Sequence, residues 1–299
     1  MTDRITQSML TASVLSDLQT ITNKLAQTRD QLSSGKEIQK PSDDPFGTAR
    51  ALQYRADLAA NAQYQANVGE ASSWQNATDI SLGQIGGLTQ RARDLLVQGA
   101  NDTLGSSGRQ SIATEIDQII ESIKSAGNTQ YAGRYIFSGS KTTTAPYTPG
   151  GADTYLGDAA TISREIGPGV QVPINVDGAS VIGDGATPGS LLATLRKISD
   201  DLKTNNSAAL QSGDLSALDT ALDGVTVARA TVGARTNRLD AALSRLQQLE
   251  QTTMGLLSNT EDADMAKTMV DFSQQQAVYQ AALKAGAQVI QPSLMDFLR

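Results

Sequence analysis

The sequence contains neither cysteine nor histidine, and aromatic residues make up only 4% of its 299 positions. Without cysteine there is no disulfide framework, thiolate nucleophile or thiolate metal site. Without histidine the commonest metal ligand, the commonest general base and the usual Ser-His and Cys-His dyads are all missing. The scarcity of aromatics leaves Ala and Leu to fill the apolar positions, which suits helices packed by small and aliphatic side chains better than an aromatic-lined cleft. No run approaches the roughly 18 to 20 apolar residues of a membrane-spanning helix, and the first 30 residues lack the apolar core of a secretory signal. The chain therefore reads as soluble when made, exported, if at all, by a route without a cleaved leader. Basic residues are too few for nucleic acid: 24 against 31 acidic residues give a net charge of -7, the wrong sign for neutralising phosphates.

What is present is helical periodicity. Val14, Leu18, Ile21, Leu25, Thr28 and Leu32 are spaced 4-3-4-3-4 and lie on one narrow stripe, flanked by polar faces carrying Asp17, Asn23, Lys24 and Asp30. Met269, Phe272, Gln276, Tyr279, Leu283, Gly286 and Ile290 repeat the design, after which Pro292 stops the helix before an apolar tail with Leu294 and Phe297. A lone helix with such a stripe is marginal in water. The two ends must pair with each other or with neighbouring copies, and these seams are the candidate assembly surface.

Between the ends the same rhythm recurs in Ile85, Leu88, Ala92, Leu95, in Ile112, Ile116, Ile119, Ile123, in Leu191, Leu195, Ile198, Leu202, and in Val232, Leu239, Ala242, Leu246, Leu249, Leu256. Residues 99–108 read as a turn. From Tyr135 to about Pro188 the period is lost, and Tyr135-Ile136-Phe137, Ala160-Thr161-Ile162 and Val170-Gln171-Val172 read as short strands. The fold expected is mainly α, an antiparallel coiled-coil or helical bundle built from the N- and C-terminal segments with a small inserted β-rich domain. Three parts follow: 1–40 with 259–299, 41–138 with 189–258, and 139–188.

Candidate chemistry is thin. Ser33-Ser34-Gly35-Lys36 has S-x-x-K spacing, but the accompanying motifs of that chemistry are missing and Gly35 ends a helix. Asp43 with Asp44, and Asp262 with Asp264, could hold a hard cation in a metallohydrolase. As turn, N-cap and first-turn residues they have a simpler explanation, in which Glu261 shares the first turn of the last helix. Gly83, Gly86 and Gly87 follow no strand, so they are read as packing glycines, and Trp74 as a core residue. No catalytic, cofactor or metal residues are assigned.

Leu32-Ser33-Ser34-Gly35-Lys36-Glu37-Ile38 followed by Pro41-Ser42-Asp43-Asp44-Pro45 resembles the N-terminal signature of the flagellin superfamily. The stretches 232–239 and 261–264 resemble its C-terminal motifs, in the expected order. Pro41 and Pro45, the run Gly133-Arg134-Tyr135-Ile136-Phe137-Ser138-Gly139 and the ending at 293–298 are more similar to the hook-associated branch than to filament-forming members. That resemblance implies a structural subunit at the hook–filament junction, with filament-forming flagellin as the alternative and a translocated helical adhesin or toxin more distant. It also implies type III export, location in the flagellum, and partners comprising identical copies, hook-associated protein 1, flagellin and an export chaperone on the C-terminal helix.

Overall fold

The computed structural model describes residues 7–101 and 104–290. The chain is built from long helices: α1 (Gln7–Ser34), α2 (Pro45–Gly99), α3 (Ser106–Gly127), α5 (Leu191–Lys203), α7 (Leu215–Glu261) and α8 (Met265–Ile290). Two compact units result, one comprising residues 1–60 with 249–299 and the other residues 61–248, with both boundaries falling inside α2 and α7.

In the second unit, α3 buries Ile112, Ile116, Ile119 and Ile123, and α5 buries Leu191, Leu195, Ile198 and Leu202. The 3-4 spacing of those residues puts each set on one face, so α3 and α5 pack stripe against stripe. Ile85, Ala92 and Leu95 of α2 and Val232, Leu239, Ala242 and Leu246 of α7 join the same core. Leu249 and Leu256, expected to extend that stripe, are exposed, because beyond Gln248 the helix belongs to the other unit. Gly105 precedes α3 in extended conformation, ending the expected turn. Trp74 is a core residue, with Tyr131 edge-on at 6.0 Å. Gly83, Gly86 and Gly87 of α2 do not mark a tight approach: a Cβ on Gly83 or Gly86 would sit 3.6 or 3.9 Å from its nearest neighbour, ordinary contact distances, and one on Gly87 would meet nothing within 4 Å.

The insertion has less strand than its sequence suggests. A two-residue ladder joins β1 (Gln130–Tyr131) to β2 (Arg134–Tyr135), and β3 (Ser163–Gly167) pairs antiparallel with β4 (Val170–Pro173) through an irregularity between Glu165 and Gly167. Ile136 and Phe137 leave the ladder and are fully buried, while the 160–162 run lies just before β3. The rest is irregular backbone with the short α4 (Gly178–Val181), held by side chains such as Asn128, which both donates to and accepts from the backbone of Tyr147. After α5, the three-residue α6 (Ser207–Ala209) and a π-helical turn over Leu210–Asp214 lead into α7.

Candidate functional site

In the unit formed by the two ends, α1 and α8 pack together. They run antiparallel, since Val14 lies against Gly286 while Thr28, near the other end of α1, bonds to Gln275. Val14, Leu18, Ile21, Leu25 and Leu32 are all half-buried and Thr28 is buried, the stripe expected of α1.

On α8 the inward face is Thr268, Phe272, Gln275, Tyr279, Ala282 and Gly286. It shares Phe272, Tyr279 and Gly286 with the expected seam, whereas Met269 is 62% and Leu283 44% exposed. The two stripes have the same 4-3 rhythm and differ by one position elsewhere, so apolar content alone favours the wrong one. Close approach decides it: a Cβ on Gly286 would stand 3.0 Å from Val14 Cγ1. Thr28 Oγ1 also donates to Gln275 Oε1 across the pair at 2.9 Å, fixing the register with a polar contact that hydrophobicity does not reveal. The side chain of Ile290, together with Leu294 and Phe297, lies outside the described residues.

Met269, Leu283, Val270 and Val278 on α8 and Leu15 on α1 are thus exposed, leaving apolar side chains uncovered after the helices have paired.

The segment after α1 is tied to the joint between α7 and α8. Gly35, with φ +71°, closes α1 by donating its N–H to the Gln31 carbonyl at 2.8 Å. The Glu37 N–H then donates to the Glu261 carbonyl (2.7 Å) and the Ala263 N–H to the Gly35 carbonyl (2.9 Å). Asp43 Oδ2 accepts the N–H groups of Gln39 and Lys40, and Asp44 Oδ1 accepts that of Phe46 at the start of α2. Asp264 does the same for α8, accepting from Ala266 and Lys267. Asp43, Asp44 and Asp264 are thus engaged in turn and capping roles by backbone N–H donors.

Glu261 differs from its expected role. It ends α7 instead of starting α8, and its side chain is only 5% exposed. Arg55 Nη2 approaches Oε2 at 2.5 Å and Lys36 Nζ pairs with Oε1, so the lysine of the S-x-x-K run is an ion-pair partner. Burial pushes the Glu261 carboxyl up, but the hydrogen bonds and charges of Lys36 and Arg55 outweigh it and hold the group below its ordinary range. A depressed carboxyl stabilises the folded form above the unfolded value near 4.5, and that contribution is lost as pH falls through the folded value. Amide protection at Glu37 and Ala263, measured by hydrogen exchange, is expected to fall as acidification below the ordinary carboxyl range protonates Glu261, and Glu261→Gln should remove most of that pH dependence. Equal protection in both proteins at every pH would rule this out. The cluster was hidden in the sequence because Glu261 lies 206 or more residues from both of its basic partners.

Comparison with known proteins matches the two ends of the chain. Residues 5–142 match the bacterial flagellin N-terminal helical region, and residues 215–298 match the bacterial flagellin C-terminal helical region. The flagellar hook-associated protein 3 of Escherichia coli (strain K12) is 29% identical over 279 residues, covering 86% of this chain and 87% of that one. The flagellin of Bacillus subtilis (strain 168) is 26% identical over 308 residues, covering 96% of each. The crystal structure of flagellar hook-associated protein 3 from Legionella pneumophila shares the fold with a TM-score of 0.62 at 16% identity, covering 69% of this chain and 98% of that one. With both of its terminal helical regions matched and its ends paired as α1 and α8, the chain belongs to the bacterial flagellin family.

Proposed function

We propose that this chain is a structural subunit of the bacterial flagellum that joins hook to filament. The observation that carries this reading is the second apolar set, Leu15, Met269, Val270, Val278 and Leu283, which remains uncovered after α1 and α8 have used their facing stripes on each other. Such a surface is satisfied by equivalent helices of adjacent subunits, and function then resides in extended contact instead of a pocket. Similarity to flagellar hook-associated proteins supports the junction as the place of assembly. The partners are identical copies, hook-associated protein 1 on one side and flagellin on the other, with an export chaperone holding the C-terminal helix beforehand. Secretion is through the flagellar export route, and catalysis forms no part of the role. Ends that gain the rest of their apolar cover on assembly are suited to passage unfolded and to ordering on arrival.

Cells lacking this protein should build hooks without filaments and lose flagellin to the medium, as seen by microscopy and by assay of the culture fluid. Normal filaments in such cells would overturn the proposal. The full-length similarity to flagellins favours a second reading, a filament-forming subunit. Growth of long filaments from the purified chain alone would establish that reading over the first.

A further inference from the structure

A groove of about 470 Å3 lies in the unit of residues 61–248, between α7 and the insertion. Val227 and Ala228 of α7 and Pro173, Val176 and Val181 of the insertion make its apolar lining, and Val227 is 65% exposed. Arg235 also lines it, half-buried, with Nη1 donating to the Asn175 carbonyl at 2.9 Å. In the same unit Arg91, Arg93, Arg164, Arg196 and Arg229 each pair with a carboxylate. Arg235 pairs with none among the described residues, and its burial is uncompensated enough to lower its basicity. Asp177, the acidic residue in the lining, accepts the Ala179 N–H as the cap of α4.

A guanidinium half-withdrawn from water with a carbonyl and no anion beside it is left with donors that an incoming carboxylate would engage through charge-assisted hydrogen bonds. The apolar walls beside it would receive the methylene stem of the same side chain. We propose that this groove takes an acidic side chain from a second copy of this chain, as one lateral contact of the assembled layer. The occupant is a second copy because each copy brings a surplus of carboxylates, 31 against 24 basic residues, and because the proposed assembly sets identical copies side by side. This inference rests on that reading of function and adds a specific surface to it.

The test places the photo-crosslinking residue p-benzoylphenylalanine at the exposed position 227 of the full chain, in cells without their own copy. Flagella are purified, irradiated and analysed by mass spectrometry. The expected product is an adduct of two copies. Arg235→Ala should lower its yield roughly ten-fold, the factor carried by about 1.4 kcal/mol of contact energy, while Arg235→Lys retains most of it. Thermal unfolding of each variant reports whether the unit is intact. The chain present in flagella without a self-adduct, an adduct only with another protein, or a yield insensitive to Arg235→Ala in a folded variant would overturn this proposal alone. Absence of the chain from flagella would overturn it together with the proposed function.

Discussion

Lys124→Met should destabilise the unit of residues 61–248 by about 3 kcal/mol, on the order of a 10 °C fall in unfolding temperature for a unit of this size. Lys124 has no exposed side-chain surface, yet its ammonium is fully engaged: Nζ donates to Glu121 Oε1 at 2.9 Å, to the Gly151 carbonyl at 2.9 Å and to Asp153 Oδ1 at 3.3 Å. Asp153 is clasped in turn by Arg196, which also reaches Asp117, and Asp117 accepts from Ser199 and Lys203. The network pins the 150–153 loop of the insertion to α3 and α5. Methionine fills a similar volume, so the cost comes from the Gly151 carbonyl and two carboxylates losing a donor where water reaches poorly. Asp153→Ala should be comparably harmful, and the double variant less harmful than the sum, since each change removes the same contact. Calorimetry of the four proteins checks this. Simple addition would mean that Lys124 and Asp153 act independently.

Gly286→Leu should abolish incorporation into the flagellum while leaving the unfolding of the 61–248 unit unchanged. A Cβ alone at position 286 would already meet Val14 Cγ1 at 3.0 Å, with Leu18 Cδ1 at 4.0 Å. Leucine adds three further carbons to that crowding, and overpacking of this kind costs about 1 to 3 kcal/mol. Two helices of marginal independent stability have little reserve against such a loss. Gly286→Ala is the control. It gains up to about 1 kcal/mol of helix propensity against a mild steric conflict, so it should assemble nearly as the natural chain does. Counting labelled subunits in purified flagella distinguishes them, and full incorporation of the leucine variant would show that α1 and α8 need not pack closely for assembly.

How far the fold was legible depends on whether a feature repeats along the chain. The stripes of α3 and α5 recur every three or four residues, so periodicity identifies the residues that are buried. The α1 stripe was equally plain. On α8 two stripes with one rhythm compete, and the winner is selected by Gly286 against Val14 and by the Thr28–Gln275 hydrogen bond, both of which depend on the partner helix. The insertion obeys no period because side chains such as Asn128 and Tyr147 hold it to its neighbours more than strand ladders do. The Lys124 and Glu261 clusters were illegible for a related reason. A lysine 29 residues from its aspartate, or an arginine 206 from its glutamate, leaves no local trace.

Glu261 also imposes an order in time. The carboxylate that satisfies Lys36 and Arg55 is the last of the three to be synthesised and, if the chain leaves N-terminus first, the last to emerge. The Gly35–Asp44 turn therefore waits for nearly the whole chain before its partner exists, while residues 61–248 already carry their own core. Closing so long a loop is slow compared with local helix formation. The delay keeps the adhesive ends from maturing early, so the chain becomes competent to join its neighbours only when both extremities have arrived at the same place.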